Sequence, residues 1–250
     1  MKPRPSWQRH TLRLLLLLLL CTLALQLVFV ARIALMAVLA PQSTTFQRSE
    51  AWRLLTEKHQ VAWSQRWVDM AQISPNLQRA VIASEDAGFA EHGGVDWDAI
   101  EGAWQKNQRA EQRVEKIKQR QPTRPLQAKV VGGSTVSQQL AKNLFLSGER
   151  TVPRKVQELA LTLVLEALLP KQRLLEIYLN NVEWGEGLFG AQAAARHYFR
   201  LDATRLSAEQ AARLAVMLPA PKRFEKNPAS PYILGRAATI VARMGAVGLP

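Results

Sequence analysis

The chain has 250 residues, 48% of them hydrophobic, which suffices for one sizeable core once an N-terminal segment is set aside and leaves a second domain cramped. Lysine and arginine number 33 against 20 aspartate and glutamate, a formal charge of +13 that favours an acidic partner (nucleic acid, anionic lipid or a phosphorylated substrate) without choosing among them. The single cysteine, Cys21, excludes an intramolecular disulfide and a cysteine-based metal cluster, and Leu18, Leu19 and Leu20 before it are too large for a lipid-attachment site.

Residues 1–13 form a basic tail with Lys2, Arg4, Arg9 and Arg13. Residues 14–31 carry no charge, and at about 1.5 Å per residue they reach roughly 27 Å, close to a hydrocarbon core of about 30 Å. The apolar run continues past Arg32, which can snorkel to the outer interface, so 14–40 is expected to be a transmembrane anchor. A cleaved signal peptide fits less well, because the run outlasts a usual apolar region and the only small-residue cut site, after Ala40, is followed by Pro41. The positive-inside bias keeps the N-terminus cytoplasmic and places the rest outside, as a single-pass protein of the cytoplasmic (inner) membrane with a periplasmic body.

Residues 41–50 read as a polar linker and 51–250 as the body, where helical spacings such as Leu77, Val81 and Ile82, or Val156, Leu159 and Leu163, predict a mainly α fold. Residues 106–129 hold eight basic and two acidic side chains and a Gln-Pro-Thr-Arg-Pro run, which predicts a solvated, mobile insertion. Ser207, with Gln210 three residues on, is expected to cap a helix that Pro219 and Pro221 close.

Three clusters could carry chemistry. In the first, Glu85 and Asp86 follow an apolar helix face and precede Phe89, His92 and Gly94. A carboxylate shielded from water can take a proton from a sugar hydroxyl, although a Glu-Asp pair alone reads far more readily as solvent-facing helix-end acids. In the second, Gly132 and Gly133 lead to Ser134 and Thr135 and a helix with Gln138, Gln139, Lys142 and Asn143. Its free N–H groups suit an anion, but taken alone the segment reads more readily as an ordinary capped helix, and no Walker pattern is present. In the third, Arg154, Lys155 and Glu158 either form a surface ion pair or hold a pyrophosphate, with Glu166 a weaker candidate further round the helix. The spread of the histidines argues against a histidine-built metal site.

Taken in order, Glu85-Asp86-x-x-Phe89-x-x-His92-x-Gly94, Gly133-Ser134-Thr135-x-x-Gln138-Gln139-Leu140-x-Lys142-Asn143, Arg154-Lys155-x-x-Glu158 and Leu175-Glu176-x-Tyr178-Leu179-Asn180 resemble the signature motifs of glycosyltransferase family 51, the peptidoglycan glycosyltransferases. Four multi-residue motifs stand in the family's order, and the resemblance covers about residues 73–221. Without Ser-x-x-Lys or Lys-Thr-Gly, the pattern is closest to the monofunctional enzymes, with no transpeptidase activity.

The resemblance implies a mainly α, lysozyme-like lobe with a small membrane-facing jaw. It also implies polymerisation of lipid II into β-1,4-linked strands, with inversion and release of undecaprenyl pyrophosphate. Glu85 would be the general base. Glu158, with Arg154 and Lys155, would steady the pyrophosphate, with a divalent cation (Mg2+ or Mn2+) admitted at Glu158 and no organic cofactor. Asp86, Phe89, His92, Ser134, Thr135, Gln138, Gln139, Lys142 and Asn143 would bind substrate. Partners would be lipid II, the growing lipid-linked strand, the membrane and other cell-wall synthesis proteins, not nucleic acid. Ser137 stands where the family commonly has Thr, and residues 106–129 lengthen the gap between the first two motifs. A lytic hydrolase and a basic membrane scaffold are the rival readings.

Overall fold

The computed structural model describes residues 6–120, 132–149 and 151–250. Helix α1 (Ser6–Leu35) contains the 27-residue span Arg9–Leu35, whose most apolar 18-residue stretch has a mean hydropathy of 2.8, and its leucines from Leu14 to Leu20 are exposed. A helix so apolar and so uncovered is suited to lipid rather than to water. Its C-terminal end is docked on the body. Gln26 and Gln157 exchange amide hydrogen bonds of 3.0 Å, Phe29 meets Phe145 edge-on, Arg32 lies 5.3 Å over the Phe145 ring, and Ile33 and Met36 are buried. The basic residues Lys2 and Arg4 lie outside the described residues.

The stretch expected as a linker turns helical early. Thr44 caps α2 (Thr45–Lys58): its hydroxyl accepts from Gln47 N while Gln47 Oε1 accepts from Thr44 N, a reciprocal pair that starts the helix inside 41–50. A short strand β1 (Ser64–Gln65) and a 3-10 turn at Met70–Gln72 lead into α3 (Pro75–Glu85), started by the Ser74 cap and Pro75. Charged α4 (Trp97–Arg120) replaces much of the expected mobile insertion. Residues 106–120 are helical, because the segment is built from strong helix formers such as Gln, Glu, Lys, Arg and Ala. Residues 121–129 lie outside the described residues.

Helices α5 (Val136–Phe145), α6 (Val152–Leu168) and α7 (Lys171–Asn181) follow and pack on one another. Leu161 and Leu165 point from α6 into the core, whereas Val156, Leu159 and Leu163 face outward. Strands β2 (Glu183–Gly185) and β3 (Leu188–Phe189) complete a small sheet of order β1-β3-β2. In it β1 runs parallel to β3 (Ser64 opposite Leu188) and β2 runs antiparallel to it. Gly187 turns between them at φ +67, pressed against the Ala62 carbonyl, where a side chain would collide.

Helices α8 (Ala191–Phe199), α9 (Ala208–Met217), α10 (Pro221–Phe224) and α11 (Pro231–Met244) finish the body. Ser207 and Gln210 form the expected capping box, but the prolines do not end the fold, since Ser230 caps one further amphipathic helix. The core is centred on α3, flanked by α9 and α11. The fully buried Ala80 on α3 and Ala211, Ala212 and Ala215 on α9 let backbones approach closely. Asn180, fully buried, joins α7 to the chain before α3 by accepting from Val68 N and donating to Val68 O, 2.9 Å each. This frame holds the end of α3 against the start of α5.

Candidate active site

Glu85 is the last residue of α3, and the helix stops because Asp86 takes an extended conformation. The Glu85 carboxylate lines a cleft of about 390 Å³ bounded by Asp86, Asp96, Asp98, Lys106 and residues 132–135. Its Oε2 accepts from Gln139 Nε2 at 3.0 Å and its Oε1 from Ser84 Oγ at 3.4 Å. Burial raises its pKa above the ordinary carboxylate range, the neighbouring Asp86 charge adds to this, and the two donated hydrogen bonds only partly oppose it. Such a group is a better proton acceptor than an exposed glutamate.

Asp86 is not free for a ligand. Its buried carboxylate takes His92 Nε2 at 2.8 Å and the first helical amide of α5, Val136 N, at 2.9 Å. The Gly94 amide donates to His92 Nδ1 at 3.1 Å, so the imidazole proton sits on Nε2 and points at Asp86. Thr135 Oγ1 donates to Gly94 O at 2.7 Å and caps α5 by accepting from Gln138 N, while Gln138 Oε1 accepts from Thr135 N. Gly94 adopts φ +91, and a Cβ there would lie 2.8 Å from Thr162 Cγ2 and Glu166 Cγ. Asp86, His92, Gly94 and Thr135 therefore tie the loop after α3 to α5 and α6.

Phe89, expected at the substrate, is fully buried, with Lys171 Nζ 4.6 Å from its ring centre. The turn after α3 folds it inward as a core side chain, so it offers no surface to a ligand. Lys171 also pairs with Glu166 at 2.8 Å, whose same oxygen accepts from Ser137 Oγ at 2.5 Å. Glu166 is thus a structural tie between α5, α6 and α7.

A second cleft, about 270 Å³, lies on the other side of Ser134 and is lined by Phe46, Gln138, Gln139, Lys142, residues 146–149, Arg154, Lys155 and Glu158. Ser134 borders both clefts, and Gln139 lines the second while holding Glu85 in the first. Phe46 belongs to α2, within the stretch expected to be a linker. Glu158, 3% exposed, takes Arg154 Nη1 at 2.7 Å, as the i,i+4 spacing predicts, and Lys155 Nζ from the i,i+3 position. Arg154 Nε is buried without a hydrogen-bond partner among the described residues. Half-buried Asn143 lines neither cleft.

The donor set fits a resident divalent cation poorly. Both Glu158 oxygens already face cations, so the carboxylate has no unshared charge for a metal. Asp86, His92 and Asp96 bring ligand atoms within 4.8 Å of one another, a grouping the sequence spacing hid. There, however, each imidazole nitrogen is already engaged, one by Asp86 and one by the Gly94 amide.

A helical body with a shielded glutamate in one cleft and a cationic cleft across a shared helix start defines a group-transfer enzyme for an anionic substrate. The transglycosylase family profile matches residues 53–245, and the chain belongs to that family. It is 53% identical over 228 residues (91% of this chain and 83% of the relative) to a protein of Burkholderia thailandensis named biosynthetic peptidoglycan transglycosylase. A protein of the same name from Paraburkholderia xenovorans is 47% identical over 229 residues, covering 91% and 88% of the two chains.

Proposed function

We propose that this chain polymerises lipid II into β-1,4-linked glycan strands at the outer face of the cytoplasmic membrane, without transpeptidation. The observation that carries this reading is the pairing of the two clefts across Ser134 and Gln139, one holding a carboxylate of raised basicity and the other Arg154, Lys155 and Lys142. An acceptor sugar in the first cleft presents its 4-hydroxyl to Glu85. The oxygen attacks C1 of the growing strand as its proton passes to Glu85, and the C1–oxygen bond to the pyrophosphate breaks on the opposite face, inverting the anomeric centre. The departing undecaprenyl pyrophosphate carries the bonding pair, and the cations of the second cleft stabilise that charge.

Glu158 orients Arg154 and Lys155 for this task. Ser134 and Gln139 stand where both sugars can be reached, while Asp86, His92, Thr135 and Gln138 hold the loop and helix that carry them. The helix Arg9–Leu35 anchors the enzyme beside its lipid substrates, with a cytoplasmic N-terminus and a periplasmic body, near other cell-wall synthesis proteins.

A lytic hydrolase would need a general acid for a poor sugar leaving group, whereas a pyrophosphate leaves as an anion and needs cations. Incubating the full chain with lipid II and, separately, with intact peptidoglycan distinguishes the two. Release of undecaprenyl pyrophosphate with polymer formation is expected, and new reducing ends from intact peptidoglycan, without polymer, would overturn the proposal.

A further inference from the structure

We infer that Tyr178 is a positioning residue for Glu85, acting through the side-chain amide of Gln139, which its hydroxyl locks in the one orientation able to donate to an ionised carboxylate. The inference rests on Glu85 being the base. Tyr178 lies on α7, 1% exposed, and touches neither cleft. Its hydroxyl donates to Gln139 Oε1 at 3.0 Å, and Gln139 Nε2 donates to Glu85 Oε2 at 3.0 Å.

The two ends of a glutamine amide have almost the same shape, so packing alone does not choose between them. An ionised carboxylate only accepts hydrogen bonds, and it therefore requires the NH₂ end. The opposite end is then an oxygen, which needs a donor. A phenol supplies one, and burial together with the Glu85 and Asp86 charges holds the Tyr178 phenol well above its ordinary pKa, so it keeps its proton wherever the enzyme works.

The surroundings leave this chain as the principal support for the carboxylate. Ser84 contributes a longer bond of 3.4 Å, and Asp86 acts on Glu85 as a like charge. Asp96, Asp98 and Lys106 border the open side of the cleft. Helices α9 and α11 pack on α3 but, among the described residues, add no charge that acts on Glu85.

Without the hydroxyl, Gln139 can turn its oxygen toward Glu85, where two acceptors repel and the carboxylate holds its proton to higher pH. The test is the pH dependence of kcat/KM for lipid II polymerisation by the full chain. Tyr178→Phe should move the acid limb upward by about half to one pH unit, with KM for lipid II unchanged and most activity recovered above the limb. A merely structural role would lower the rate evenly across pH, and an unmoved limb would overturn the inference.

Gln139→Met, which removes the same hydrogen bond at similar bulk, should also raise the limb, and it provides the test should Tyr178→Phe fold poorly. In the Gln139→Met background Tyr178→Phe should add no further shift, whereas an additive shift would also overturn the relay. Failure of the base assignment looks different: Glu85→Gln would then remain active, whatever the limb does in Tyr178→Phe.

Discussion

Glu183, on β2, is a buried carboxylate that lines neither cleft, and replacing it by Gln should make the protein more stable at alkaline pH. The carboxylate is 6% exposed. Its Oε1 lacks a hydrogen-bond partner: Lys222 Nζ, drawn to Glu50 at 2.6 Å, stays 3.4 Å away and out of line. Burial is the main reason its pKa rises from 4.5 to about 7, with Glu50 and Glu225 adding to the rise and Lys222 opposing it. A raised folded-state pKa means that the folded chain holds a proton the unfolded chain releases. The stabilising contribution is therefore complete below pH 4.5 and lost as pH rises through 7. At about 1.4 kcal/mol per unit the full swing is on the order of 3 kcal/mol. Glu183→Gln removes this titration while leaving a pH-independent offset, since its amide still faces Lys222. Thermal unfolding of both proteins from pH 5 to pH 8 should show the variant gaining on wild type by roughly 5–10 °C. A difference that stays constant with pH would refute the reasoning.

Asp86→Asn should lower stability by about 1–3 kcal/mol, because one amide oxygen cannot serve both His92 and Val136 and its NH₂ meets a donor. Turnover should fall with little change in KM for lipid II, whereas a raised KM at unchanged melting temperature would restore Asp86 as a substrate contact. Glu158→Gln should reduce turnover on the order of 10²-fold by freeing Arg154 and Lys155 from their anchor. Kinetics equal to wild type over a range of lipid II concentrations would remove that role. The acid-limb shift in Tyr178→Phe stands as the fourth test.

The local parts of the site were legible because they depend on local rules. A capping residue with a glutamine three positions on marks the start of α5, and i,i+4 spacing brings Arg154 to Glu158. The same rule was overlooked at Thr44 and Gln47, where a polar composition suggested a linker and hid the helix that brings Phe46 to the second cleft. Charge density likewise disguised residues 106–120, which are strong helix formers on a largely exposed helix. Phe89 was placed at the substrate by the family resemblance, but the direction of the turn decides its burial. Tyr178 stood in a recognised motif, yet its role depends on α7 meeting α5. Glu50 and Lys222, 172 residues apart, could be paired only by the tertiary fold.

The most direct test of the proposed chemistry is polymerisation of labelled lipid II by the full chain and by Glu85→Gln, with products resolved by gel and digested with lysozyme. Lysozyme-sensitive polymer from wild type, and none from a folded Glu85→Gln protein, is the expected result. Polymer from the variant at a comparable rate would contradict Glu85 as the base.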